Sequence, residues 1–284
     1  MTFFNSDDFG ITLTQAEHIL QCRENGRLTG ISAMPNAPLL EQAMAMVGDD
    51  PAFNVAVHLN VTEGLCLSAP EDVPLLAGPD GRFRQSFFQL LVLSLGPERR
   101  QLRQQLIHEF TLQMRRVLPL TGGRPIRLDG HQHIQMIPGV LAAIRDMARQ
   151  SNYELTYIRW PREPLWPFLR HVSLWRYYRP VNLVKNLVLN LLALPSGRIL
   201  RQMGLKQNMA MGLMLSGHMA YEPVRRLLPE LERIAARRGV DLEVVIHPGW
   251  GVAPGQGLDV PGGHLEAFQL SPGRKEEYDC LMKL

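Results

Sequence analysis

The sequence predicts an α/β fold, an irregular (β/α) barrel of about seven parallel strands with helices outside. Three observations predict it. Short β-rich runs alternate with longer helical patterns, each run is followed by a stretch long enough for a crossover, and the polar residues of the runs gather at their C-terminal ends. A doubly wound sheet would satisfy the first two observations equally well.

A short apolar run, residues 1–4, leads into Asn5-Ser6-Asp7-Asp8-Phe9-Gly10, and the first strand is expected over residues 2–5. A helical pattern then starts near Thr12 or Thr14 and runs through Ala16, Ile19 and Leu20. Further strands are expected over residues 30–34, 54–60, 125–129, 154–159, 210–216 and 241–247. Helices are expected over 36–47, 97–118, 138–150 and 223–238, several with Pro near the first turn, where its fixed φ is already helical. No repeat, low-complexity tract or linker breaks the alternation, so residues 1–284 are expected to form one barrel domain, with an insertion at about 164–208.

Composition narrows the setting. With 284 residues, 45% of them hydrophobic, the chain can bury a large core without covalent staples. The three cysteines, Cys22, Cys66 and Cys280, are odd in number and far apart, which argues against a disulfide framework or a cysteine zinc site and for a cytoplasmic setting. Polar residues arrive too early for a signal peptide. The longest apolar runs, 87–95 and 187–194, fall short of the roughly 20 residues that span a bilayer, so no transmembrane segment is expected. A net charge of +3 is too small to argue for a nucleic-acid partner.

The strand ends carry the chemistry. Asp7 and Asp8 follow the first strand, His58 lies near the end of the third, His131 and His133 follow the fourth, and Arg159 and His247 end the fifth and seventh. In a barrel those ends share one face. Two adjacent carboxylates stay ionised together only beside a cation, and a divalent metal is the natural one. Asp8, His58 and His131 make a three-ligand set that leaves a position for water. The metal would acidify that water and polarise a carbonyl, Asp7 would take the proton, His247 would protonate a leaving amine, and Arg159 would fix the base carboxylate. Together these describe a metal-assisted amide or ester hydrolase. Asp129, His133 and His218 are further candidates, either supporting the ligands or touching substrate.

Each piece also has a plainer reading. Asp7-Asp8 can be a turn with a helix cap, His58 a hydrogen-bonded core residue, Arg159 a surface residue, and His247-Pro248-Gly249 a turn. His131-Gln132-His133 is either extended, with both imidazoles on one side, or a polar loop. Five clusters at five strand ends are what outweigh these readings.

With these residues in view, the chain resembles the YdjC-like carbohydrate deacetylases, the family of the chitooligosaccharide deacetylase ChbG and the hopanoid-associated HpnK proteins. The matching stretches are Asn5-Ser6-Asp7-Asp8-Phe9-Gly10, Asn25-Gly26 with Leu28-Thr29, and Val57-His58-Leu59-Asn60 with Thr62-Glu63-Gly64. Downstream they are Leu128-Asp129-Gly130-His131-Gln132-His133, Arg159-Trp160-Pro161-Arg162-Glu163-Pro164 and His247-Pro248-Gly249. The resemblance implies an irregular, TIM-barrel-like fold and one divalent metal ion, zinc or magnesium, on Asp8, His58 and His131. It also implies removal of acetyl from an N-acetylated sugar, with Asp7 as base. The Arg-Trp-Pro-Arg-Glu-Pro stretch looks closer to the HpnK side, and Gln135 stands where many relatives carry a further histidine.

The insertion is unusual. From residue 164 to 221 there is no acidic residue, while Arg170, Arg176, Arg179, Lys185, Arg198, Arg201 and Lys206 are interspersed with Trp166, Phe168, Trp175, Tyr177 and Tyr178. Leu and Val at 183, 184, 187, 188, 191 and 192 fit one helical stripe, which reads first as an extra core layer. The sharper reading is a peripheral surface that approaches anionic lipid on the inner face of the membrane, with a lipid-linked amino sugar as substrate. Other readings of the whole are a phosphoester hydrolase on the same face and a catalytically inactive glycolipid-binding protein.

Overall fold

The structure, a computed structural model, describes residues 1–250 and 264–284. Seven strands form one parallel sheet: β1 (Thr2–Phe9), β2 (Gly30–Ala33), β3 (Asn54–Leu59), β4 (Ile126–Gly130), β5 (Leu155–Ile158), β6 (Met209–Met211) and β7 (Leu242–Ile246). Ten α-helices are described with them. In chain order they are α1 (Leu13–Asn25), α2 (Leu40–Ala45), α3 (Phe87–Leu95), α4 (Arg99–Val117), α5 (Pro138–Gln150), α6 (Trp166–Arg170), α7 (Pro180–Gln202), α8 (Tyr221–Arg238), α9 (His264–Gln269) and α10 (Gly273–Lys283).

The strand order is β5-β4-β3-β2-β1-β7-β6, and every pairing is parallel. This is the cyclic order of a barrel, with β7 back beside β1 and no reversal of direction around the sheet. The doubly wound alternative is thereby excluded, because it needs a switch point in the order. The sheet curls but stays open between β5 and β6. Polar contacts span that seam: the Asn208 amide donates to the Ile158 carbonyl at 3.0 Å and accepts from the Trp160 amide at 2.9 Å, while Ala210 N–H donates to the Arg162 carbonyl at 3.2 Å.

All seven expected strands are present, with two differences that matter. β1 does not stop at Asn5 but runs to Phe9, so Asp7 and Asp8 are buried strand residues rather than loop residues. Its pairing with β2 slips between Ser6 and Phe9, where three steps on β1 oppose two on β2. β6 is shorter than expected and ends at Met211, because the N–H groups of Gly212, Leu213 and Met214 bond the buried Glu163 carboxylate at 2.7, 3.2 and 2.8 Å.

The insertion is helical as expected, but its aliphatic stripe is only partly core: Leu183 and Leu192 pack against the core while most of the rest faces outward. Val184 is 54% exposed, Leu187 47% and Leu191 67%, while the buried face of α7 carries Asn182, Asn186, Leu189, Ala193 and Ser196. Amides fix the orientation. Asn186 donates to Glu163 Oε2 at 2.8 Å, Asn190 to the Glu163 carbonyl at 2.9 Å, and Asn182 to the Ser216 carbonyl at 3.1 Å. Turning the stripe inward would strand these buried partners, which costs more than apolar exposure on a helix surface. Among the described residues α7 is the one helix long and apolar enough to cross a membrane by length and composition, and a third of that apolar window is buried.

Candidate metal centre

The site begins with the slip in β1. In a regular strand adjacent side chains point to opposite faces, and an extra residue breaks that alternation. Asp8 takes the left-handed conformation, φ 62°, and both carboxylates turn into the barrel interior, where each finds a cationic or imidazole partner. Asp8 Oδ1 lies 3.2 Å from His131 Nδ1 and 3.5 Å from His58 Nε2. One donor atom from each of Asp8, His58 and His131 lies within 4.8 Å of the others, and all three residues are buried.

The third candidate ligand, His131, comes from a second strained turn. After β4 the backbone makes a 3-10 turn, His131–Met136, in which Gln132 (φ 53°) and His133 (φ 61°) are also left-handed. The extended reading of His131-Gln132-His133 is therefore wrong, and the loop reading holds. Each such residue costs on the order of 1 kcal/mol or more and persists where neighbours over-determine it. Glu63 does so here, accepting from His131 Nε2 at 2.7 Å and from the Gln132 amide at 3.0 Å. Glu63 is itself set by Asn60, whose Oδ1 accepts from the Thr62 and Glu63 amides at 3.0 and 3.2 Å.

His58 is oriented from behind. Its Nδ1 meets Asp129 Oδ1 at 2.6 Å, and Nε2 faces Asp8. Asp129 Oδ2 is in turn held by the Ser32 hydroxyl and by Arg159 Nη2 at 2.6 Å. Arg159 is fully buried and forks onto Asp7, with Nη1–Oδ2 and Nη2–Oδ1 both 2.7 Å, while Nη2 also reaches Glu243 Oε1 at 2.8 Å. The surface reading of Arg159 fails, because its charge links three carboxylates. Burial pushes the Asp7 carboxyl up, but Arg159, His58 and His247 outweigh it and hold Asp7 well below the usual carboxylate range.

His247 stands across from Asp7. Its Nε2 is 4.0 Å from Asp7 Oδ2, its Nδ1 3.6 Å from Glu277 Oε2, and the Phe268 ring meets it edge-on. Both Phe268 and Glu277 belong to the C-terminal helices, which also bring the buried Arg274 to Asp8 Oδ2 at 3.1 Å and to the His247 carbonyl at 3.2 Å.

A divalent cation suits this donor set. Asp8 Oδ1 and His58 Nε2 are buried and have no hydrogen-bond partner. Around them stand six carboxylates, on Asp7, Asp8, Glu63, Asp129, Glu243 and Glu277, against two guanidiniums, Arg159 and Arg274. Burial lowers the imidazole pKa values, yet Asp129 and Asp7 raise His58 to about 10, and Glu63 and Asp8 raise His131 to about 9. The same carboxylates that raise both imidazoles would be neutralised by a divalent cation held at this place. Oxygen and imidazole donors fit zinc, magnesium and related ions alike.

The model of the YdjC-like protein family matches residues 2–283. The chain belongs to the YdjC-like family. A solved structure from Enterococcus faecalis V583, provisionally named a cellobiose-phosphate cleavage protein, superposes with a TM-score of 0.63 at 18% identity. The match covers 99% of this chain and 90% of that one, and at this identity it speaks for the fold.

In this YdjC-like chain the other predicted residues are placed as follows. Asp129 stands behind His58. His133 is buried with Nδ1 unpartnered, and burial, Lys185 and Arg159 keep it well below the usual imidazole range. His218 contacts Arg179 and Glu276, and not the carboxylate–imidazole cluster. Ser32, Glu63, Glu243, Arg274, Glu277 and Lys185 were given no role from sequence. Glu63 lies in a quoted motif and could have been found there. The others carry no local signal, since a half-buried lysine on α7 or an arginine in α10 reads as surface until the fold is known.

Proposed function

We propose that this YdjC-like protein is a metal-dependent N-deacetylase of an acetamido sugar, releasing acetate and a free amine. One divalent ion, zinc or magnesium, would be held by Asp8, His58 and His131. Bound there, it supplies Lewis acidity for water and for the acetyl carbonyl. Asp7 accepts the proton of the attacking water, Arg159 keeps Asp7 ionised and aimed, and His247 gives a proton to the departing nitrogen. Carbonyl carbon gains the hydroxyl oxygen, the C–N bond breaks, and the nitrogen leaves as amine. The observation that carries this reading is a carboxylate beside the ligand set but outside it, held ionised by a forked guanidinium, with an imidazole 4.0 Å away.

The outward aliphatic face of α7, flanked by Arg170, Arg176 and Arg179, supports a lipid-linked sugar reached from the inner face of a membrane. The test is acetate release from N-acetylglucosamine oligomers and lipid-linked amino sugars, using metal-stripped protein with zinc or magnesium restored. Release that returns with metal and falls by at least ~10²-fold in Asp7→Asn is expected, the scale of a general base. Full turnover in Asp7→Asn would overturn the base assignment, and no release from any acetamide would overturn the reaction.

A further inference from the structure

A second surface of the protein has no partner among the described residues, and it lies at the catalytic end. α3 is capped firmly: Ser86 and Gln89 exchange side-chain bonds to each other's backbone N–H. Yet the helix buries only Leu90 and presents Phe88 (58% exposed), Val92 (69%) and Leu95 (73%) at positions i, i+4 and i+7, one continuous outward stripe. Nothing about folding asks for this, since a helix in a soluble rim normally turns charge outward.

Directly after α3 the chain turns through Gly96 into α4 and lines a pocket of about 280 Å³ with Arg99, Arg100 and Arg103, Ser94 and Gly139 closing its side. Arg103 is paired with Asp146, Arg99 donates to the Gly96 carbonyl at 3.3 Å, and Arg100 engages no carboxylate among the described residues. Arg145 adds a fourth cation beside Asp146, and Glu98 is the other acid at the corner, so positive charge is in excess. The corner is held close: a Cβ on Gly139 would come within 2.6 Å of Ser94 Cβ, so glycine lets α3 lie on the first turn of α5. That turn follows His131–Met136, which puts the corner on the side of the sheet where the strands end. α7, with its own outward stripe, packs on the same helix α5.

We infer that the α3–α4 corner is a membrane-docking element, in which Phe88, Val92 and Leu95 enter the headgroup region and Arg99, Arg100 and Arg103 take the phosphate of an anionic lipid. An apolar stripe bordered by Arg99 and Arg100, neither of which meets a carboxylate among the described residues, matches an anionic bilayer surface, where apolar burial and charge attraction add. The inference deepens the lipid-linked reading of the substrate, but its test needs no turnover.

Co-sedimentation with vesicles of phosphatidylglycerol and phosphatidylcholine, against phosphatidylcholine alone, gives the answer. Binding to the anionic vesicles, reduced at least ~10-fold in Arg99→Glu/Arg100→Glu and in Phe88→Ser/Val92→Glu, is expected. Both variants should keep parent circular dichroism, metal stoichiometry and turnover of a soluble acetamido sugar, because none of the changed residues touches the metal centre. Equal binding to both vesicle types, no binding to either, or variants that bind like the parent would overturn the inference. So would a parent dimer that becomes monomeric in Phe88→Ser/Val92→Glu, which would assign the stripe to a second copy of the chain. Loss of acetate release in every protein with vesicle binding intact would instead count against the reaction alone.

Discussion

At the scale of single residues, the division of labour between Asp7 and Asp8 rests on partners rather than on sequence. Adjacent aspartates look alike in a motif, yet Asp7 is forked by Arg159 while Asp8 faces two imidazoles. Asp129→Asn should therefore leave the fold and weaken metal affinity ~10–100-fold, because the residue that orients a metal-bound imidazole tunes its basicity; a competition titration with a chelating dye reads this. The imidazoles also set a pH dependence. Both His58 and His131 are raised above the unfolded value near 6.5, so the stability each contributes is complete below that value and is lost as pH climbs through about 9 and about 10. The metal-stripped protein should lose melting temperature from pH 7 to pH 10.5. The zinc-loaded protein, whose imidazoles are neutral already, should lose less over the same range. Parallel curves would contradict that assignment. Asp7, Asp8, His58, His131, Arg159 and His247 were all legible as candidates, because polar residues at the ends of apolar strands stand out against a hydrophobic run.

At the scale of elements, what escaped the sequence is what depends on contacts between distant segments. β1 was expected to stop at Asn5, because the polar motif looks like a loop; the interior tolerates it since Ser32 on β2, His58 on β3 and Arg159 just after β5 satisfy it. The orientation of α7 was likewise hidden. Its aliphatic stripe has the period of a core helix, and what fixes the amide face inward is distant in sequence: the Glu163 carboxylate and carbonyl, which accept from Asn186 and Asn190, and the Ser216 carbonyl, which accepts from Asn182. Burial outweighs the hydrogen bonds from Gly212, Met214 and Asn186 and leaves Glu163 raised to about 7. Glu163→Ala should leave several buried donors unpaired and cost ~3 kcal/mol or more, with faster amide exchange in both α7 and residues 212–214. Faster exchange in one of the two alone would mean that Glu163 does not tie them together.

At the scale of the molecule, the chain's two ends build one site. β1 lies inside the sheet between β2 and β7, and the last helix, α10, sends Arg274 and Glu277 to Asp8 and His247. Nothing local in residues 273–283 signals this; the assignment follows from where α10 lands once the barrel has formed. The seam between β5 and β6 carries no strand pairing, and Asn208→Ala should destabilise the fold by ~1–3 kcal/mol through the Ile158 and Trp160 groups it leaves unpaired, read by chemical denaturation. The (β/α) order itself was legible throughout, since alternation and strand-end polarity survive without tertiary information.

The most direct measurement is calorimetric titration of metal-stripped protein with zinc at pH 7.5, repeated in buffers of different ionisation enthalpy. One ion per chain, with release of about two protons as His58 and His131 give up theirs, is expected, and loss of that binding in His58→Ala. Absence of saturable binding, or binding that survives His58→Ala unchanged without proton release, would contradict a metal centre on Asp8, His58 and His131.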